Sequence, residues 1–305
     1  MANFSRYVWL DGQLVAWNDA TIHITQIGPA SVSSVFEGIC GYWNADARKL
    51  YLFHLAAHLD RLAQSMRLVR MKQTWSSDVL KQGIFDLLRA NECTQDVYIR
   101  PFAFVDAPAF SVVSDSAARI IINTLPNPSR LHSGKVSHAC VSSWTRISDN
   151  VSPPRVKASS NYLNSRYAAE EAKRNGYDVA LLLQANGKVA EAPGACLMLV
   201  RDGKVVTPPT TGSILESITR ATLIELCRNV LHLEVVEREV DRTELYIASE
   251  AFLCGTGSEI TPLASIDRFV LGDGTIGRVA RQLETLYHDL VRGIDPRYPE
   301  WRTEV

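Results

Sequence analysis

Strand-like and helix-like patterns alternate along the first half of the chain. YVWLDGQLVAW places two apolar runs around Asp11-Gly12, a dipeptide that suits a type I′ turn because both central residues need positive φ. The pattern predicts a β-hairpin. Apolar residues at helical spacing predict helices in HLAAHLDRLAQSMRL (54–68) and SSDVLKQGIFDLLRANEC (76–93). The expected strands are KLYLFHL (49–55), DVYIRPFAFVD (96–106) and ARIIINTL (118–125).

The second half continues with HACVSSWTRIS (138–148), which is rich in β-branched and aromatic residues and reads as a strand. A helix is predicted from about Asn161, with Gly176 as its left-handed stop. Two hairpins are predicted, at Asn186-Gly187 and at Asp202-Gly203. Further elements are expected in LEVVERE (233–239), ELYIASEAFLCGTGSEITPLASID (244–267) and the helical run RVARQLETLYHDLVRG (278–293).

One more helix is expected within TTGSILESITRATLIELCRNV, residues 210–230. Ser213 is followed three residues later by Glu216, the spacing of a capping box, and Ser217 is a second possible N-cap. Either serine would satisfy N–H groups that have no partner in the first helical turn.

The chain is long enough for more than one hydrophobic core. It has 305 residues, of which 46% are hydrophobic, and two domains are expected at this length. NTLPNPSRLHSGK (123–135) collects turn residues between two strand-like segments. We therefore expect a small α+β domain over 1–125, a linker over 126–135 and a larger domain over 136–305.

Composition excludes several classes of function. The 32 Lys and Arg residues balance 33 Asp and Glu residues, so neither a nucleic-acid stripe nor an acidic tail is indicated. The six cysteines form no CxxC pair, which argues against a zinc site and favours free thiols in a reducing compartment. Neither a signal peptide nor a run of about 18 apolar residues is visible. We expect a cytoplasmic protein without a membrane partner, acting on small molecules.

Two local arrangements point to chemistry. Lys157 lies on a connection between a predicted strand and a predicted helix, a place where functional residues concentrate. Tyr98 and Arg100 are two residues apart on a predicted strand and so project from one face. A guanidinium beside a phenol can receive a carboxylate. A solvated surface lysine and an exposed polar strand face remain the ordinary interpretations.

Seven short motifs occur in one order along the chain, and together they are similar to a known family. They resemble those of the fold-type IV pyridoxal-phosphate aminotransferases, most closely the branched-chain amino acid aminotransferases. The motifs are SVFEG (34–38), HLDRL (58–62), YIRP (98–101), Lys157 with NYL (161–163), GKVAEAPG (187–194), SITR (217–220) and GTGSEITP (255–262). The resemblance implies an α+β fold with a small N-terminal α+β domain and a larger, β-barrel-like C-terminal domain with helices.

The resemblance also implies a cofactor site for pyridoxal 5′-phosphate. Lys157 would be the catalytic residue, holding the cofactor as a Schiff base and shuttling a proton during ping-pong transamination. Glu191 would face the protonated ring nitrogen, and Tyr162 would donate to the 3′ oxygen. The residues implied around the phosphate and the rest of the cofactor are Arg61, Ser217, Ile218, Thr219 and Thr256. Taken singly, Glu191 is also an ordinary strand residue and Ser217 an ordinary helix cap.

For the substrates, the resemblance assigns Tyr98 and Arg100 to the carboxylates of the amino acid or of 2-oxoglutarate. Backbone amides of Thr256 and Gly257 would assist them. Phe36 would line the side-chain pocket, and Gly38 would leave room beside it. No metal is implied. The family forms homodimers, so a homodimer or a higher homo-oligomer is expected.

The sequence departs from the branched-chain pattern near the substrate pocket. Ser31-Val32 stands where a Tyr-Gly pair is usual, Ser217 replaces a glycine, and Cys196 replaces an asparagine. DAPAFSVVS (106–114) replaces a glycine-rich loop. These changes leave open an (R)-selective amine transaminase or a D-amino acid transaminase on the same fold. A non-catalytic protein that keeps the fold is a third hypothesis.

Overall fold

The computed structural model of the protein describes residues 5–26, 32–105 and 117–305. It divides into two compact units. The first comprises Met1–Ser129, Val156–Ser160 and Asp289–Val305, and the second comprises Arg130–Arg155 and Asn161–His288. Two short stretches from the later part of the chain therefore group with the first unit. The linker expected at 126–135 stays a prediction.

The first unit is built on a sheet of eight described strands, all paired in antiparallel fashion. The strands are hydrogen-bonded to one another in the order β16, β5, β4, β6, β7, β1, β2. Strand β3 pairs with β6 outside this order. The strands are β1 (Tyr7–Leu10), β2 (Gln13–Ala16), β3 (Val35–Phe36), β4 (Ile39–Asn44), β5 (Lys49–Phe53), β6 (Val97–Val105), β7 (Ala118–Pro126) and β16 (Arg302–Glu304). The expected first hairpin is confirmed, because Leu10 pairs with Gln13 and the two turn residues have φ of 45° and 95°.

The first unit also contains two described α-helices, α1 (Leu55–Leu68) and α2 (Ser77–Ala90). Ser76 caps α2 by accepting a hydrogen bond from the Val79 N–H, which satisfies one donor of the first turn. Gly83 lets α2 approach β1 closely, since a Cβ built there would lie 2.5 Å from Trp9 Nε1. Both helices contribute buried leucines to the core that they share with the sheet.

The second unit carries the other sheet, also of eight described strands. Its path runs β12, β11, β10, β13, β14, β8, β9, and β15 pairs with β14. Its strands are β8 (Ser137–Thr145), β9 (Val179–Leu183), β10 (Cys196–Arg201), β11 (Lys204–Thr207), β12 (Val235–Glu237), β13 (Glu250–Gly255), β14 (Glu259–Ile266) and β15 (Phe269–Val270). Three of the pairings are parallel, β8 with β9, β8 with β14, and β11 with β12. Two sheets with accompanying helices confirm the α+β class.

The remaining helices follow the predicted segments. They are α3 (Tyr162–Arg174), α4 (Ile218–Asn229) and α5 (Arg278–Val291). Gly176 has a φ of 75° and donates its N–H to Lys173 O, so it ends α3 as expected. No described helix is long and apolar enough to cross a membrane. All six cysteines are free thiols.

The predicted hairpin at Asn186-Gly187 is confirmed. The chain turns there and returns in antiparallel fashion, with a bridge from Leu183 to Val189 and hydrogen bonds from Gln184 N–H to Lys188 O at 2.7 Å and from Ala190 N–H to Leu182 O at 2.9 Å. Only its glycine has positive φ, so the turn is not of type I′. The capping box starting at Ser213 is wrong. Ser217 is the N-cap instead and accepts a hydrogen bond from the Arg220 N–H at 3.1 Å.

Candidate active site

The segment that carries Lys157 is attached to strand β3 and to helix α1. The Phe36 N–H donates to Lys157 O at 3.0 Å, and Val35 forms an isolated bridge with Ala158. The Lys157 N–H donates to Ser65 Oγ on α1 at 3.3 Å. The lysine is half-buried, between the buried side chains of its two chain neighbours. Backbone contacts on both sides therefore fix the position from which the amine extends.

Two cations lie against one aromatic ring beside this segment. Lys157 Nζ is 5.0 Å from the centroid of the Phe36 ring, and Arg100 Cζ is 4.8 Å from it. Arg100 also lies 5.3 Å from the Phe102 ring. Its Nε is buried and has no hydrogen-bond partner among the described residues. A buried guanidinium donor without a partner is costly to keep, so this atom fits a polar ligand.

Tyr98 and Arg100 lie on the same, half-buried face of β6, whereas Val97 and Ile99 between and beside them are buried. The Tyr98 ring fills the space above Gly38. A Cβ built on Gly38 would lie 1.7 Å from Tyr98 Oη. Any larger residue at 38 would displace the phenol, so the glycine sets where Tyr98 can stand.

Arg61 lies on α1 and is held by a buried acid. Its Nε donates to Glu37 Oε1 at 2.7 Å and its Nη2 to Glu37 Oε2 at 2.9 Å. His58 Nδ1 lies 2.8 Å from the same carboxylate. Burial acts to raise the pKa of Glu37, but the hydrogen bonds from Arg61 and His58 and the charge of Arg61 outweigh it and lower that pKa to about 2. Glu37 is therefore ionised.

In the second unit, Glu191 is buried and paired with a cation that sequence reasoning missed. Arg146 Nε donates to Glu191 Oε1 at 2.9 Å, and Arg146 Nη2 lies 2.8 Å from the same oxygen. The Leu215 N–H donates to Glu191 Oε2 at 3.2 Å. Arg146 in turn donates through Nη1 to Asn164 at 3.2 Å. These contacts hold the Glu191 side chain in a fixed orientation.

The N-terminus of α4 lies next to Glu191. Cys196 Sγ contacts Glu191 Oε2 at 3.9 Å and donates to Leu215 O at 3.7 Å, and Ser217 follows two residues later as the helix cap. Ile218 and Thr219 are the first helical residues. N–H groups in a first helical turn have no intrahelical acceptor and favour an anion such as phosphate.

The loop with Thr256 and Gly257 connects β13 to β14, where Gly255 pairs with Glu259. This loop packs on the segment after Glu191, since a Cβ built on Gly255 would lie 3.1 Å from Gly194 O. Tyr162 is the half-buried first residue of α3. The expected site residues thus form two sets, one in each unit. The first unit holds Phe36, Gly38, Arg61, Tyr98, Arg100 and Lys157, and the second holds Tyr162, Glu191, Ser217, Ile218, Thr219, Thr256 and Gly257.

Sequence reasoning missed Glu37, His58 and Arg146. Glu37 and His58 stand inside the motifs SVFEG and HLDRL, so a buried charge partner could have been suspected for Arg61. Arg146 lies 45 residues before Glu191, and nothing in the local pattern connects them. The departures at Ser31 and at 106–114 lie outside the described residues.

Comparison with known proteins decides the family. The model of the amino-transferase class IV family matches residues 34–266. The chain belongs to the class IV aminotransferases. Enzymes of this family depend on pyridoxal phosphate, so the expected transferase class and cofactor are both confirmed.

Three relatives of this aminotransferase illustrate the match. The branched-chain amino acid aminotransferase of Thermobaculum terrenum, solved in its PLP form, is 51% identical with a TM-score of 0.96, over 99% of this chain and 98% of that one. The probable branched-chain-amino-acid aminotransferase of Aquifex aeolicus is 38% identical over 98% of this chain and 96% of its own. The branched-chain-amino-acid aminotransferase of Escherichia coli K12 is 36% identical over 94% and 93%.

The residues of the aminotransferase fit the chemical groups of the cofactor. Lys157 offers a primary amine for the aldehyde, and the buried carboxylate of Glu191 suits a protonated ring nitrogen. The Arg61 guanidinium and the start of α4 suit a phosphate. Each of these groups is therefore of a chemical type that one part of pyridoxal phosphate requires.

Proposed function

We propose that the protein is a branched-chain amino acid aminotransferase. It moves the amino group between a branched-chain or other aliphatic L-amino acid and 2-oxoglutarate, and the two substrates use one site in turn. The three relatives named above are all called branched-chain amino acid aminotransferases, and each match covers more than nine-tenths of both chains.

The observation that carries the substrate proposal is the environment of Arg100. Its Nε is buried without a hydrogen-bond partner among the described residues, and the Phe36 and Phe102 rings lie beside its guanidinium. A carboxylate would satisfy the unpartnered donor. The aromatic rings offer apolar contacts to an aliphatic side chain. Both features of a branched-chain amino acid are therefore met on one face of the first unit.

Pyridoxal phosphate, when bound, supplies an electron sink and a carrier for the amino group. We assign Lys157 to hold its aldehyde carbon and to move the proton through Nζ. Glu191 holds the proton on the ring nitrogen, and Tyr162 donates to the 3′ oxygen. The phosphate and the remaining cofactor contacts fall to Arg61, Ser217, Ile218, Thr219 and Thr256.

The substrate contacts are assigned to a second group of residues. Tyr98 and Arg100 bind the substrate carboxylate, with backbone amides of Thr256 and Gly257 as further donors. Phe36 lines the side-chain pocket, and Gly38 keeps the Tyr98 ring in place.

We further propose that the protein forms a homodimer, on the strength of the family resemblance. Sedimentation velocity at micromolar concentration tests this, and a species with the mass of a single chain contradicts it.

A coupled assay tests the function. Turnover with 2-oxoglutarate is compared for L-leucine, D-alanine and an (R)-arylalkylamine, and L-leucine is expected to be the best donor. Failure to turn over L-leucine rejects the proposal, and preference for either of the other donors selects the corresponding alternative. A protein that takes up no pyridoxal phosphate is not an enzyme of this kind.

Arg100→Met supplies a matched variant, since methionine keeps much of the side-chain length without the charge. The KM values for L-leucine and 2-oxoglutarate are expected to rise while uptake of the cofactor stays unchanged. Unchanged KM values for both substrates would mean that their carboxylates bind elsewhere.

A further inference from the structure

Glu37 is a fully buried acid that none of the roles above uses. Its side chain is 0% exposed. The carboxylate accepts two hydrogen bonds from one edge of the Arg61 guanidinium, and a third contact comes from His58 Nδ1 at 2.8 Å. The Gly38 N–H donates to its Oε2 at 3.3 Å. A buried carboxylate with this many donors is fixed in orientation.

The charge states of this group follow from its surroundings. The pKa of Glu37 is lowered to about 2, so the carboxylate is an acceptor at neutral pH. Burial, above all, lowers the pKa of His58, although Glu37 acts in the opposite direction. His58 is therefore neutral and carries its hydrogen on Nδ1, because a carboxylate can only accept. The result is an ion pair between Glu37 and Arg61 with a neutral imidazole behind it.

The position of Glu37 connects the elements that carry the two main cofactor residues of the first unit. It directly follows Phe36, whose N–H holds Lys157 O. Arg61 and His58 stand on α1, the helix that also supplies the Ser65 hydroxyl to the Lys157 N–H. A bidentate contact fixes the plane of a guanidinium as well as its distance. Loss of the carboxylate would let the Arg61 side chain turn.

We propose that Glu37 is a positioning residue that orients Arg61 toward the phosphate of the cofactor, with His58 holding the carboxylate in turn. This inference rests on the proposed function, and specifically on the assignment of Arg61 to the phosphate. It adds an acid and a neutral histidine to the machinery that binds the cofactor, although neither touches it.

The carboxylate has two opposing effects on phosphate binding, and the sign of the net effect distinguishes a positioning role from a purely electrostatic one. As a nearby negative charge, Glu37 weakens the attraction of Arg61 for a phosphate. As a clamp, it strengthens binding, because less side-chain entropy is lost when the phosphate arrives. Positioning therefore requires that removal of the charge weakens cofactor binding, whereas a purely electrostatic role requires that it tightens binding.

The test uses the apoenzyme, titrated separately with pyridoxal phosphate and with pyridoxal, which lacks the phosphate. Glu37→Gln keeps the size of the side chain and removes its charge. The Kd for pyridoxal phosphate is expected to rise roughly tenfold, as for the loss of one charge-assisted hydrogen bond. The Kd for pyridoxal is expected to stay unchanged. A Kd for pyridoxal phosphate that is unchanged or lower overturns the inference.

Glu92→Gln is the matched control, because Glu92 forms an exposed ion pair with Arg6 at 2.7 Å in the same unit. Its Kd for both ligands is expected to equal that of the wild type. If Glu37→Gln does not fold, His58→Asn and His58→Leu take its place. Asparagine can keep the donor near the position of Nδ1, so His58→Asn is expected to bind pyridoxal phosphate more tightly than His58→Leu. Equal Kd values for these two variants overturn the inference.

The outcomes separate this inference from the proposed function. A wild-type protein that takes up no pyridoxal phosphate rejects both. The positioning role alone is rejected if the wild type binds the cofactor and turns over L-leucine, while the Glu37→Gln variant keeps the wild-type ratio of the Kd for pyridoxal to the Kd for pyridoxal phosphate.

Discussion

Single residues set the site of the first unit through close fits. Gly38 and Tyr98 are the clearest case, because the phenol occupies the place that a side chain at 38 would need. The motif SVFEG predicted that this glycine makes room. The structure identifies what fills the room, which a sequence cannot do because Tyr98 lies 60 residues further along the chain.

Gly38→Ala is expected to lower kcat/KM for L-leucine by roughly 10- to 100-fold, the usual effect of misplacing a substrate contact by about 1 Å. The new Cβ would stand 1.7 Å from Tyr98 Oη and must displace it. Steady-state kinetics of Gly38→Ala, Tyr98→Ala and the double variant measure the effect. Strict additivity of the two losses would show that the residues act separately.

Glu191→Gln tests an acid whose role is both chemical and structural. The substitution leaves Arg146 buried without its counter-charge, so the free energy of unfolding is expected to fall by about 3 kcal/mol. The transamination rate is expected to fall as well, because the ring nitrogen loses its charged partner. Urea unfolding and kcat are the measurements. Reduced stability with full kcat would leave Glu191 only a structural role.

Glu234→Gln is the control for this change, since Glu234 pairs with Lys204 at 2.9 Å on the surface. An exposed ion pair of this kind contributes less than about 1 kcal/mol. The comparison isolates the effect of burial from that of charge removal. Sequence alone could not predict the buried ion pair of Glu191, because Arg146 is remote from Glu191 in the chain.

At the scale of elements, the start of α1 combines backbone strain with a half-buried base. His54 precedes the helix with a φ of 51° and donates its N–H to Trp301 O at 2.7 Å. Its ring lies 4.4 Å from that of Phe53 and 5.1 Å from that of Trp301. Burial lowers the pKa of His54 from 6.5 to about 4.

This lowered pKa predicts a loss of stability in acid. Above pH 6.5 His54 is neutral in both the folded and the unfolded chain and contributes nothing to the pH dependence. Between pH 6.5 and about 4 only the unfolded chain takes up the proton, so unfolding becomes easier as the pH falls. The full loss is reached once the pH has dropped below the pKa of the folded state.

His54→Asn removes the titrating ring and keeps a residue that tolerates positive φ. The fall in the free energy of unfolding between pH 7 and about pH 4.5 is expected to be about 2 kcal/mol smaller in the variant than in the wild type. Urea titrations at both pH values measure it. Parallel losses in the two proteins would contradict the burial of a neutral His54.

Most elements followed from hydrophobic periodicity and turn chemistry. Asp202-Gly203 forms its hairpin because two strands of adequate length flank it. Asn186-Gly187 also returns the chain in antiparallel fashion, and the Leu182 N–H donates to Glu191 O at 2.9 Å. The capping box at Ser213 failed because Ser213 has a φ of 58°, whereas the N-cap residue Ser217 is extended.

At the scale of the whole molecule, chain order and spatial grouping differ. Val156–Ser160 groups with the first unit although the residues on both sides belong to the second. The prediction of a linker at 126–135 rested on composition, which does not reveal that a later segment of the chain returns to the first unit. The order of the motifs indicated the family before any geometry was known, and the family model that matches residues 34–266 confirms it.

Borohydride reduction of the holoenzyme, followed by peptide mass mapping, identifies the lysine that holds the cofactor. Reduction fixes the cofactor on the amine that holds it. We predict one labelled lysine, Lys157, and no label in Lys157→Ala. A label on a different lysine of the wild type, or an active wild type without any label, would contradict the assignment of Lys157.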